Sequence, residues 1–171
     1  MRVYVPATIA MLQRLVAKEE LHPVSRTAFA VTPALREAYA SGDDDELAEV
    51  AMGEAARASL RLLAGEVGDA DSGAVEVRFR RAVIAADVDD VTVRSDLDDA
   101  VVRLGAPLSL SSVASVHVDL SEAEPAIERA VGIVDAADLG DADAEFVLGD
   151  AEDHELAWYA TQELPFLLEL L

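Results

Sequence analysis

The chain has 171 residues with 34 acidic and 13 basic side chains, a formal net charge of -21, and that length predicts one domain. Apolar residues make up 52% of it, enough for a packed core despite the charge. There is no cysteine, which excludes disulfide frameworks, thiolate zinc sites, iron-sulfur clusters and cysteine nucleophiles.

Residues 2–6 alternate Arg, Val, Tyr, Val, Pro and predict a short strand. Thr8 then offers an N-cap for a helix whose apolar face is Ile9, Leu12, Leu15 and Val16. This opening lacks the charged start and continuous apolar run of a signal peptide. No stretch approaches the roughly 18 apolar residues of a membrane span, so the expectation is a soluble cytoplasmic protein. His22-Pro23 is expected to stop the first helix. Residues 28–31 predict a second strand, and Thr32-Pro33 caps a short helix over 34–40. An acidic turn at 41–46 leads into the longest helix, with Leu47, Val50, Ala51, Ala55, Ala58 and Leu62 on one face to about Ala64. Residues 65–74, rich in Gly, Asp and Ser, read as an exposed flexible loop.

Strand periodicity follows over 77–88, 100–104 and 113–120, with the apolar run 82–86 as a central strand buried on both faces. Ser121 and Glu124 form a capping-box signature before a helix face of Ile127, Ala130, Val131 and Val134. Residues 138–143 read as an acidic turn. Asp150 and Asp153 are expected to cap a final helix containing Leu156, Ala157, Tyr159 and Ala160, interrupted by Pro165 before an apolar tail. The fold class is α+β: a single domain over 1–171, with a mixed β-sheet of about four to five strands and helices packed against it.

Three segments carry a likeness: Arg2-Val3-Tyr4-Val5-Pro6-Ala7-Thr8, the stretch 28–37 (AFAVTPALRE), and the stretch 152–165 (EDHELAWYATQELP). Together they resemble an uncharacterised family of small actinobacterial proteins, a domain of unknown function, over nearly the whole chain. The resemblance implies an actinobacterial host and a cytoplasmic setting. It brings no activity, cofactor or catalytic residue, so function is argued from side-chain chemistry.

Charge is unevenly placed. Residues 1–103 hold 12 of the 13 bases against 19 acids, whereas residues 104–171 hold 15 acids and only Arg129. The C-terminal third therefore repels nucleic-acid phosphates and anionic lipid, and neither is an expected partner. Asp150, Asp153 and His154, with His117 and Asp119 as remote ligands, are the candidate set for a divalent metal ion. Against it stand the absence of a His-Glu-x-x-His spacing and the ordinary acidity of a capped first turn. His117 and Asp119, two apart on a strand, share a face suited to general acid/base work, or simply to a solvated sheet face. Arg78 and Arg80 could clamp a phosphate or carboxylate, although in so acidic a chain its own carboxylates compete for them. Trp158, Tyr159 and Phe166 form a candidate interaction surface for a protein partner or a second copy of the chain. A glycine-rich phosphate loop and a nucleophile elbow are both missing.

Two readings result. The first is a non-enzymatic, acidic protein-interaction or regulatory module with no evident cofactor. The alternative is a metal-assisted hydrolase or small-anion-binding enzyme using His117, Asp119, Asp150, Asp153 and His154, with Arg78 and Arg80 holding substrate charge.

Overall fold

The computed structural model describes residues 1–70 and 76–171. Strand β1 (Arg2–Ala7) leads into α1 (Ile9–Lys18), whose N-cap Thr8 accepts a hydrogen bond from the Met11 N–H. The helix ends at Lys18 rather than at His22-Pro23, because Glu19 adopts a left-handed conformation (φ 57°) and turns the chain into β2 (Glu20–Leu21). Then come β3 (Thr27–Phe29), α2 (Pro33–Ala38) and α3 (Asp44–Ala70). Thr32 caps α2 by accepting from the Leu35 N–H and ties itself to the Asp99 carbonyl. Helix α3 continues through residues 65–70, which were expected as loop; the rest of that expected loop, 71–74, lies outside the described residues.

The second half contains β4 (Ala82–Asp87), β5 (Val91–Val93), β6 (Val101–Leu104), β7 (Leu108–Ser109) and β8 (Val113–Val118). Helices α4 (Glu124–Val131), α5 (Val134–Asp138) and α6 (Ala142–Glu152) follow, then β9 (Ala157–Ala160) and α7 (Leu164–Leu170). The expected capping box at Ser121 is not formed; α4 begins at Glu124 with Pro125 in its first turn and no side-chain cap. Asp141, not Asp150 or Asp153, is the cap that starts a helix here, accepting from the Ala144 N–H.

The fold is α+β, but the sheet is larger than expected. Seven strands run in the order β5-β6-β3-β1-β4-β8-β9, and β2 pairs with β7 in a separate two-stranded sheet. Every pairing is antiparallel, so the sheet is not mixed. The expected burial of residues 82–86 on both faces is met, since β4 lies between β1 and β8 and these residues are at most 1% exposed.

Alternation along the strands divides the core. Val3, Val5, Ile84, Val116 and Val118 face α1 and α7. Tyr4, Phe29, Val83 and Ala85 face α2 and α3, where Ala51 and Ala55 keep the long helix close to the sheet. Ser59 fixes that approach: buried, it donates to the Ala7 carbonyl at 2.7 Å and accepts from the Ala82 N–H at 3.1 Å. Farther along α3, Leu60 and Leu63 pack with Ile127, Ala130, Val134 and Leu148 of α4–α6.

Candidate functional site

The end of the sheet formed by β8 and β9 gathers most of the residues that the sequence singles out. Residues 157–160, expected in a helix, form β9, which pairs with β8 through Val116↔Tyr159 and His117↔Trp158. Cross-strand partners share a face, so Trp158 stands beside His117, while Tyr159 points to the other face and packs on the core with α1 and α7. Phe166, 69% exposed, projects from α7. The expected patch of Trp158, Tyr159 and Phe166 is thus divided, and Trp158, 61% exposed, is its member on the open strand.

β9 is an edge strand, bonded to β8 on one side. The direction of its backbone groups follows from two hydrogen bonds. Asp119 donates its N–H to the Arg81 carbonyl, toward β4, so by the two-residue repeat His117 also turns toward β4 and Val116 and Val118 turn toward β9. That engages Tyr159 and Ala157 and aims the N–H and C=O of Trp158 away from the sheet. Consistently, the Ala160 N–H is taken by the Glu163 carboxylate at 3.1 Å rather than by β8.

Asp150, Glu152, Asp153 and Glu155, all exposed, lie on the segment that enters this strand. Asp150, Asp153 and Glu155 make no ion pair among the described residues. They form a solvated acidic surface beside Trp158. Among the described residues no group of three or more His, Cys, Asp or Glu is placed to hold a metal ion, so Asp150, Asp153, His154, His117 and Asp119 are not brought into one such group.

Asp119 is wholly buried, and its carboxylate is taken up by Arg81: backbone N–H to Oδ2 at 2.8 Å, Nε to Oδ2 at 2.9 Å, Nη2 to Oδ1 at 2.8 Å. Nη2 also donates to the His154 carbonyl at 2.7 Å, which ties the turn before β9 to the sheet. His117 is paired with Ser115 instead of Asp119, Nε2 to Oγ at 3.0 Å. Burial first, and the Arg2 charge second, hold its imidazole below the usual value of 6.5. Arg78 and Arg80 precede β4 and are not on a strand: the Arg80 N–H turns back to the Arg78 carbonyl. Arg80 is engaged by Glu124 at 2.8 Å and Arg78 lies 3.7 Å from Glu76, so the protein's own carboxylates occupy both.

Sequence reasoning missed Glu54, and it placed Arg81 in the basic cluster 78–81 without a role of its own. Both line a cavity of about 350 Å³ between α3 and the end of α6, with Gly53, Arg57, Leu60 and Glu152. Arg57 is held by Asp138 and Glu145 and lies 3.9 Å from Glu152. Glu54 has no ion pair or hydrogen bond among the described residues; burial, then the neighbouring Asp98 charge, pushes its carboxyl above the usual range. The available signal for Arg81 is a charged residue directly abutting the fully apolar run 82–86, which requires a buried counter-charge.

Among the described residues the fold is an antiparallel α+β arrangement whose main sheet has β5 and β9 as its edges, the β9 edge being flanked by acidic side chains. The chain belongs to a family of unknown function, DUF6912, whose model matches residues 1–168. No curated protein and no solved structure matches the chain.

Proposed function

We propose that the protein is a non-enzymatic binding module whose β9 edge takes up an extended, basic segment of a partner protein as an eighth strand. The observation that carries this reading is the outward-facing backbone of Trp158, together with its exposed indole, at an edge flanked by Asp150, Asp153 and Glu155, which make no ion pair among the described residues. Strand addition draws affinity from main-chain hydrogen bonds and specificity from alternate side chains. A large exposed aromatic supplies an anchor, and the acidic surround steers a basic segment by long-range attraction. A second copy of the chain is the less suitable occupant, because each copy brings a net charge of -21.

Trp158 is the single tryptophan of the chain, so its emission reports on the edge directly. A heptapeptide alternating arginine with valine should shift that emission to the blue and saturate. The same peptide N-methylated at alternate residues keeps its charge but loses strand donors, and it should bind at least about tenfold more weakly. Equal binding of the two peptides would reduce the interaction to charge alone and contradict strand addition. Association of the free protein through β9, seen as a concentration-dependent sedimentation coefficient abolished in Trp158→Ala, would replace the partner with a second copy.

A further inference from the structure

The cavity between α3 and the end of α6 is lined by the charged residues Glu54, Arg57, Arg81 and Glu152. Arg81 is 4% exposed, and its Nε and Nη2 are consumed by Asp119 and the His154 carbonyl. Its remaining nitrogen, Nη1, makes no hydrogen bond among the described residues. The buried side-chain polar atom that lacks a partner among those residues is Arg103 Nε alone, so Arg81 Nη1 keeps some contact with solvent, and Arg81 lines the cavity. A nearly buried guanidinium thus keeps one nitrogen uncommitted in a residue that lines a cavity of about 350 Å³. Small-molecule sites begin at about that size.

The other wall has the opposite need. Glu54 is half-buried, with Asp98 and Glu152 as its like-charged neighbours and Arg61 and Arg57 as its cationic ones. Glu152, at the end of α6, supplies a second carboxylate to the cavity and meets Arg57 only at 3.9 Å. Arg57 also lines the cavity but is committed to Asp138 and Glu145, so a simple anion bound at Arg81 would face these two carboxylates, and a simple cation between them would leave Nη1 unmet. A ligand with both charges answers both walls.

We propose that this cavity binds a small zwitterion of the α-amino acid type, its carboxylate on Arg81 Nη1 and its ammonium between Glu54 and Glu152. The inference is independent of strand addition at β9. Gly53 provides the means to block the site without changing its charge: a Cβ built there meets nothing within 4 Å, and the residue lies within α3, where leucine is a better helix former than glycine.

The test is calorimetric titration with glycine, glutamine and lysine, using acetate and methylammonium as the two half-ligands. At least one amino acid should saturate a single site, and neither half-ligand should come within about tenfold of its affinity. Glu54→Gln should weaken that amino acid by about tenfold or more, and Gly53→Leu should abolish binding, with unchanged circular dichroism in both. Gly53→Met serves as the plug if the leucine variant unfolds. Silence with all three amino acids, acetate binding as tightly as the best of them, or undiminished binding to a folded Gly53 variant would overturn the assignment.

Discussion

The two edges of the seven-stranded sheet are finished in different ways. At one, β5 is three residues long, and the Arg94 N–H bonds to the Val101 carbonyl of β6, which leaves Val91 and Val93 as the residues facing outward. That edge is bracketed by charge: Asp89 and Asp90 precede it, and Arg94 and Asp96 pair at 2.8 Å just after it. At the end of the pair away from the connecting turn, the Gly105 N–H bonds to the Asp90 carbonyl, and a Cβ on Gly105 would lie 2.1 Å from the Asp90 carboxylate. Short strands and flanking charge pairs are how proteins discourage strand addition. At the other edge, β9 is underlaid by the buried Arg81–Asp119 pair, carries an exposed Trp158, and is flanked by acids alone. An edge bracketed by charges of both signs thus contrasts with one flanked by acids, and strand addition by a basic segment, as proposed, would draw on that difference.

The largest way to break this contrast is at the foundation of the β9 end. Arg81→Met leaves Asp119 buried and unpaired, and should cost about 3–5 kcal/mol in a denaturant titration. Replacing both, Arg81→Met with Asp119→Leu, should recover most of that loss. Asp96→Asn, at the solvent-screened pair beside β5, should leave the midpoint at its wild-type value.

Next in size is the anchor. Trp158→Ala should weaken the arginine-valine peptide by about 2 kcal/mol, some thirtyfold, while changing the unfolding free energy by less than about 1 kcal/mol. A large loss of stability with unchanged peptide affinity would make Trp158 a packing residue.

Smaller still is the β5–β6 end, where Arg103 Nε is buried without a hydrogen-bond partner. An unsatisfied buried donor is unfavourable by about 1–3 kcal/mol, so Arg103→Met should raise stability, by about 1 kcal/mol after the lost packing of the longer stem. A destabilised variant would show that the guanidinium contributes through contacts outweighing its orphaned nitrogen.

The smallest effect belongs to His117, whose folded pKa is depressed by burial and then by Arg2. The unfolded chain takes up its proton first as pH falls below the ordinary value of 6.5. Its share of stability is therefore complete above that value and is lost as pH falls through the lower folded pKa. His117→Asn should flatten the pH dependence of unfolding in that window, and an unchanged slope would remove His117 as its source.

The legible parts of this chain are those where local signals coincide. Thr8 and Thr32 cap helices as their side chains predict, and the apolar run before Asp87 is the doubly buried strand. β9 was illegible because Leu156, Tyr159 and Ala160 also satisfy helical spacing, and only pairing with β8 makes them a strand. α6 was hidden by Asp141, Asp143 and Glu145, which look like a turn, while its buried face of Ala144, Leu148 and Ala151 is mostly alanine. β5 and β7 are three and two residues long, too short to show a period. Of the site, the acidic surround and Trp158 were readable from composition and position. The Arg81–Asp119 pair was not, since it depends on the β4–β8 register that brings residues 38 apart into contact.

The most direct test of the open-edge account is residue-level hydrogen exchange with and without the arginine-valine heptapeptide. The account predicts that the Trp158 amide slows by at least about tenfold on binding, that the N-methylated peptide fails to slow it, and that the Val93 amide on the opposite edge is unchanged. Peptide binding that leaves Trp158 exchange untouched, or protects Val93 instead, would contradict it.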